Sequence, residues 1–257
     1  MLARRRGEPL WRVLGGKDPV VPVYASGLNP TDAVPVALTR RAEGYRAFKL
    51  KVGFGRERDI ANLTSLRTAI GDDARLMVDA NQGWRLDQAL AIIPELKRFR
   101  LDWIEEPLRA DRPWDEWRHL QAHSGAILAA GENIIGEAAF QTAIESGALG
   151  VLQPDAGKWG GISLCRVVAQ GAVAAGLRYC PHWLGGGIGL LASAHLLAAL
   201  GGGGMLEVDA NDNPFRRLIW GRLGGVTDGL ARLTDEPGLG VRPDLDRLAA
   251  YSVRHDR

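Results

Sequence analysis

Cysteine is scarce in this chain, and the little there is follows no pattern. Among 257 residues only Cys165 and Cys180 occur. Neither sits in a metal-binding or redox spacing, so two packed thiols in a reduced, cytoplasmic setting are expected. An excess of one charge is also missing: 32 basic and 30 acidic residues are interspersed along the chain, for a net charge of +2. With no basic block and no interleaved aromatic stripe, nucleic acid is not an expected partner. No hydrophobic run is long enough for a membrane span; the most apolar one, "LLASAHLLAAL" at 190–200, is too short and carries His195. The opening "MLARRRGEPLW" has charge but no apolar segment of signal-peptide type. No dinucleotide fingerprint follows the first strand-like run, and "GGGIG" at 185–189 does not fit G-x-G-x-x-G.

What is present is a chain that is 46% hydrophobic and 24% charged, enough for a large core. Short strand-like runs recur: "VPVY" (21–24), "AFKLKVG" (47–53), "RLMVDAN" (75–81), "LDWIEEP" (101–107), "AILAAGEN" (126–133), "LGVLQPD" (149–155), "LRYCPHW" (177–183) and "GMLEVDA" (204–210). Helical periodicity fills the intervals, as in "RLDQALAIIPELKRF", where Pro94 is expected to kink or shorten the helix. Gly71, Gly147 and Gly176 stand where helices should close. Eight strands alternating with seven helices predict an α/β fold, a closed TIM-type barrel of (β/α)7β form, with a doubly wound sheet as the competitor.

The unusual polar residues keep step with this repeat. Lys51, Asp79, Glu105, Glu132, Asp155, His182 and Glu207 each fall at or near the end of a different predicted strand. Their separations are 28, 26, 27, 23, 27 and 25 residues, about one strand–loop–helix unit apiece. A barrel brings those ends to one rim, the face that carries chemistry in barrel enzymes. Three acids from adjacent strands, Asp79, Glu105 and Glu132, would repel one another in a shielded cup unless a hard divalent cation lay between them. An all-oxygen ligand set suits Mg²⁺ better than Zn²⁺. A helix cap or an arginine partner explains one such acid, but not three in phase.

Lys49 and Lys51 alternate with Phe48, Leu50 and Val52 in "AFKLKVG". The apolar side must pack on the helices, so the lysines face the lumen. There two neighbouring ammonium groups near a cation are expected to hold each other toward neutrality, which makes a general base. Asp155 stands one unit before His182, the pairing that fixes an imidazole for acid/base work. His119, His123, His195 and His255 lack such a setting and are read as structural.

Together these motifs resemble the enolase superfamily and, within it, the mandelate racemase subgroup. The resemblance rests on "KLK" (49–51), "DAN" (79–81), "WIEEP" (103–107), "GEN" (131–133), "PDAGKWGG" (154–161), "PHW" (181–183) and "LEVD" (206–209), in family order over about residues 20–210. It implies Mg²⁺ on Asp79, Glu105 and Glu132. Lys51 is implied as base on one face with Lys49 beside it, and His182 oriented by Asp155 on the other. Asn81 and Glu207 are implied to contact substrate or the developing oxyanion, Glu207 by a hydrogen bond if protonated. Relatives resembling muconate cycloisomerases and dipeptide epimerases carry a lysine where this chain has Asp155, and Lys158 falls beyond the strand end. The His–Asp pair therefore favours the racemase-like and acid-sugar dehydratase-like branch. The implied reaction removes the proton α to a carboxylate through an enediolate, most often dehydrating a polyhydroxy acid.

The superfamily's α+β capping domain has only a counterpart of its last helix here, in residues 1–20, followed by a barrel over 21–210 and a return toward the cap position over 211–257. The expectation is thus a barrel lacking most of its cap, which assembles into a homo-oligomer and acts on a small carboxylate. Two alternatives stay open. One is a metal-binding barrel with weak or no turnover. The other is a phosphate-binding barrel using "LGGGIG" or "GGGG" (201–204), of which only the first lies on the correct rim.

Overall fold

The structure is a computed structural model that describes residues 1–220 and 225–252. His255 and the end of the C-terminal extension lie outside the described residues, as do 221–224. Two short helices, α1 (Leu2–Arg6) and α2 (Leu10–Val13), lead into β1 (Val20–Leu28). Then α3 (Ala33–Ala42), β2 (Ala47–Lys51), α4 (Arg56–Ile70), β3 (Arg75–Asp79), α5 (Leu86–Leu96) and β4 (Leu101–Glu105) alternate. The alternation continues through α6 (Trp114–Ser124), β5 (Leu128–Ala130), α7 (Glu137–Glu145), β6 (Val151–Leu152), α8 (Gly161–Ala174), β7 (Arg178–Tyr179), α9 (Gly187–Leu200) and β8 (Leu206–Asp209). After these come α10 (Pro214–Trp220), β9 (Leu230–Arg232) and α11 (Leu245–Ala249).

The first eight strands pair in parallel in the order β7-β6-β5-β4-β3-β2-β1-β8, and β9 adds antiparallel to the first half of β1. Seven β/α units and a final strand make the expected (β/α)7β barrel. Each predicted strand run contains or overlaps an observed strand. Pro94 falls near the end of α5, which stops at Leu96 and tightens into a 3₁₀ turn over Lys97–Phe99, so the proline shortens the helix. Between β7 and β8 no ladder forms among the described residues; other contacts close the seam. The Met205 N–H donates to Cys180 Sγ at 3.3 Å, and the Trp183 N–H donates to Glu207 Oε2 at 3.0 Å. Gly204 lies so near the Tyr179 carbonyl that a Cβ there would overlap it. Both cysteines are free and buried, and burial pushes each thiol up to about 12.

Alternation along the strands separates two cores. Phe48, Leu50, Leu76, Val78, Ile104, Leu128 and Leu206 pack outward against the helices. A second cluster takes one residue from each of the eight strands or its flank: Tyr24, Ala47, Met77, Trp103, Ala129, Val151, Cys180 and Met205. Tyr24 and Trp103 meet edge to face with centroids 5.5 Å apart, although β1 and β4 are not neighbours in the sheet. That contact runs through the lumen, so this cluster is the barrel's apolar floor.

No helix among the described residues is long and apolar enough to cross a membrane. Helix α9 is apolar around its whole circumference and carries His195, fully buried. His195 Nδ1 accepts the Trp11 N–H at 3.0 Å, pinning α2 to α9, so its role is structural. Burial holds its pKa down at about 4. The unfolded chain binds this proton first, with an ordinary pKa near 6.5. Stability from His195 is therefore complete above pH 6.5 and is lost as pH falls toward 4. Urea unfolding should show wild type losing roughly 2–3 kcal/mol more than His195→Gln between pH 7.5 and 4.5. Parallel acid limbs for the two proteins would contradict this assignment.

Candidate active site

Two residues beyond the floor, the same lumen-facing side of the strands turns polar: Ser26, Lys49, Asp79, Glu105, Gln153, His182 and Glu207. Period-two alternation puts them directly above the floor, toward the strands' C-terminal ends. On β5 the same step lands on Gly131, where a Cβ would sit 2.6 Å from the Gln153 nitrogen. Only glycine fits there, and the chain then delivers Glu132 into the cup.

Lys49 is the hub. It is 1% exposed, and its Nζ lies 2.6 Å from Glu105 Oε2, 2.7 Å from Glu207 Oε1 and 3.9 Å from Asp79 Oδ2. Burial alone would drive the ammonium toward neutrality, but Glu105 and Glu207 outweigh it and raise the pKa well above the usual lysine value. Carboxylates, not Lys51, therefore dominate the field at Lys49. Lys51 sits one step nearer the rim. Its Nζ contacts Asp79 Oδ2 and Asn81 Oδ1, each at 2.6 Å. Asn81 is held by a left-handed backbone (φ 44) and by its N–H donating to Asp79 Oδ1 at 2.8 Å.

Asp79, Glu105 and Glu132 are all buried, and one carboxylate oxygen of each lies within 4.8 Å of the others. Glu105 Oε2 accepts from Lys49 and from Gln153 Nε2 at 2.6 Å, while its Oε1 is buried with no hydrogen-bond partner among the described residues. Burial raises the Glu105 pKa, Lys49 opposes it, and Asp79 and Glu207 add to the rise. Three converging carboxylates with an orphaned buried oxygen fit a hard divalent cation such as Mg²⁺.

On the far side, His182 Nδ1 is 2.7 Å from Asp155 Oδ2, whose Oδ1 accepts the N–H groups of Gly157 (2.6 Å) and Lys158 (3.0 Å). His182 Nε2 points into the cup, 3.2 Å from Glu132 Oε2 and 3.7 Å from Glu207 Oε2. Burial disfavours the imidazolium, yet Glu207, Asp155 and Glu132 outweigh it and lift His182 to about 9. Asp155 is buried, which acts to raise it, but the bond to His182 leaves it below the usual carboxylate range. Lys158, beyond the strand, reaches back to Glu132 Oε2 at 2.5 Å.

Glu207 differs from its expected role as a donor. It is fully buried, and its oxygens accept from Ser26 Oγ (2.6 Å), Lys49 and the Trp183 N–H. Burial favours the acid form, but Lys49 and His182 prevail and hold the carboxylate ionised. With its charge and its acceptors both engaged, Glu207 is a counter-ion between the two halves of the cup.

The sequence reading missed Ser26, Gln153 and Glu106. Glu106 is buried behind the triad, where both its oxygens accept from Asn133 Nδ2 at 2.8–3.0 Å. Burial, then Glu132, pushes its pKa up to about 8. The usable signal was position: each polar residue stands two places after a floor residue, or directly beside a triad acid. The glycines after β7 have a packing explanation. Gly185 and Gly189 lie against the Trp183 indole, and Gly201–Gly204 sit at the opposite end, between α9 and β8.

Comparison with known proteins identifies the family. The family described as "Enolase C-terminal domain-like" matches residues 33–247. The chain belongs to that family. A D-galactarolactone cycloisomerase of Agrobacterium fabrum is 32% identical over 96% of this chain, which spans 69% of its relative's length. A mandelate racemase/muconate lactonizing enzyme from Bordetella bronchiseptica RB50 superposes with a TM-score of 0.94 at 54% identity, covering 98% of this chain and 70% of that one. A racemase from Streptomyces coelicolor A3(2) with bound magnesium gives 0.88 at 33% identity, covering 98% and 69%. Other relatives are named dehydratases and racemases, so this member of the enolase superfamily is an enzyme domain of that group.

If the cup is a metal centre, Glu105→Gln, which keeps the side-chain volume, should weaken Mg²⁺ binding by at least about tenfold in calorimetric titration of the folded variant. Unchanged affinity would remove Glu105 from the ligand set.

Proposed function

We propose that this enolase-superfamily barrel removes the proton α to the carboxylate of a polyhydroxy acid and, with a second proton transfer, expels the neighbouring hydroxyl as water. The observation that carries the reading is the placement of two proton-handling groups at opposite ends of one carboxylate triad: Lys51 touches Asp79, and His182 reaches Glu132.

Asp79, Glu105 and Glu132 would hold the cation, which when bound draws charge from the substrate carboxylate and makes its α-hydrogen acidic. Lys51 Nζ, oriented by Asn81 Oδ1, is the group placed to take that proton. Asp155 holds Nδ1 of His182, which leaves Nε2 as the atom that hands a proton to the departing 3-hydroxyl. Lys49 neutralises Glu105 and Glu207 beneath the reacting atoms and keeps the acidic layer together. Asn81, with its backbone fixed, faces the same rim as a substrate contact. If His182 returns its proton to carbon instead, the outcome is racemisation or epimerisation from the same residues.

Support for an acid-sugar substrate comes from the relatives. Among them are an arabinonate dehydratase, 26% identical, and an L-talarate/galactarate dehydratase, 36% identical over 71% of this chain. The two cycloisomerase relatives are named for a sugar-acid lactone, D-galactarolactone, and for 3,6-anhydro-alpha-L-galactonate.

Incubated with Mg²⁺ in D₂O and a panel of aldonates and aldarates, the protein should incorporate α-deuterium or release a 2-keto acid. Lys51→Met should abolish both signals, and His182→Asn should reduce 2-keto acid formation by at least about 10²-fold, the usual range for a general acid. A folded, Mg²⁺-binding protein that gives neither signal with any member of the panel would overturn the proposed activity in favour of a metal-binding barrel without turnover.

A further inference from the structure

Three glycines on three segments converge on one side chain. Gly157 lies in the loop after β6, Gly185 in the loop after β7, and Gly189 in the first turn of α9. None has a left-handed backbone, so conformation does not require glycine at any of them. A glycine within a helix weakens it relative to alanine, so Gly189 in particular needs another reason. The indole of Trp183 supplies it: a Cβ at Gly157 or Gly189 would overlap its six-membered ring, and one at Gly185 would sit 2.8 Å from it. The ring is further fixed by Nε1 donating to the Gly186 carbonyl at 2.8 Å, and the residue by its backbone N–H on Glu207 Oε2.

The place where this ring sits gives it a consequence. Trp183 follows His182 directly. Gly157, on which the ring rests, is the residue whose N–H donates to Asp155 Oδ1 at 2.6 Å and leaves Oδ2 to His182. The indole therefore fills the gap between the loop that orients Asp155 and the loop that carries His182. Lys51 lies on β2 and has no such contact.

We propose that Trp183, seated in this glycine cradle, is a positioning residue that sets the spacing of the His182–Asp155 pair and acts on the His182 proton transfer without acting on Lys51. The inference rests on the acid/base role given to His182 above. Removing the ring frees the two loops, and small displacements of a proton-transfer group cost up to about 10²-fold in rate.

The test uses Trp183→Ala, Gly157→Ala and the double variant, with two readouts. The first is the low-field NMR signal of the His182 Nδ1 proton in ¹⁵N-histidine-labelled protein, which needs no turnover and so stands even if the proposed reaction fails. It should be lost or shifted in both single variants while Mg²⁺ affinity stays within twofold. The second compares Lys51-dependent α-deuterium exchange with 2-keto acid formation. Exchange should hold within about threefold while dehydration falls at least tenfold, and the double variant should be no worse than Trp183→Ala. An unshifted His182 signal in Trp183→Ala, equal loss of exchange and dehydration, or additive losses in the double variant would each overturn the proposal.

Discussion

A single buried ammonium makes the rest of this barrel possible. Closing eight strands places Asp79, Glu105 and Glu207 around one small volume almost out of reach of water. Like charges so confined would drive protons onto the carboxylates or hold the strands apart. Lys49 stands among them with contacts of 2.6 and 2.7 Å to two of the three, and with the Tyr24 ring 5.5 Å from its Nζ. Removing one partner from a buried ionic cluster of this kind costs about 3–5 kcal/mol, because the charges left behind have nowhere to go. Lys49 thus belongs to the folding of the barrel.

From that constraint the site divides by depth. The floor is apolar and seals the lumen; the next layer is a web of carboxylates, Lys49, Ser26 and Gln153 with almost no exposure. Only above it do groups reach the mouth: Lys51 and Asn81 on one side, Lys158 on the other, with His182 leaning in beneath. Lys51 and His182 are each held by fixed partners, Lys51 by Asp79 and Asn81 and His182 by Asp155, so in the proposed reaction both would be preorganised. The deeper layer holds the charges that the upper groups work against. Glu207, bonded to Lys49, to Ser26 and to the backbone beside His182, links the two sides through a seam that has no strand ladder.

Much of this is legible in the amino-acid sequence. Parallel strands followed by helices keep a nearly constant repeat, so residues at strand ends recur in step, and the spacing from Lys51 to Glu207 located one ring of side chains. Asp79, Glu105 and Glu132 stood out because acids are rare in buried strands, and the His182–Asp155 pair because two polar residues ended consecutive strands. The charge states were not legible. Whether Lys49 is neutral and whether Glu207 carries a proton depend on contacts between β2, β4 and β8, none of them adjacent pairs, and a linear sequence shows no such distance. Ser26 and Gln153 are unremarkable residue types whose meaning comes only from facing Glu207 and Glu105. The glycines beside Trp183 read equally well as a flexible loop until the ring is seen lying on them.

The proposed chemistry requires the cup to be a metal centre. The most direct measurement is anomalous scattering at the manganese edge from crystals of the protein grown with Mn²⁺, which takes the same oxygen ligands as Mg²⁺. The predicted result is one strong peak bonded at about 2.1 Å to an oxygen from each of Asp79, Glu105 and Glu132. A peak at another site, or no peak with those three carboxylates contacting only Lys49, Lys51 and Lys158, would contradict it.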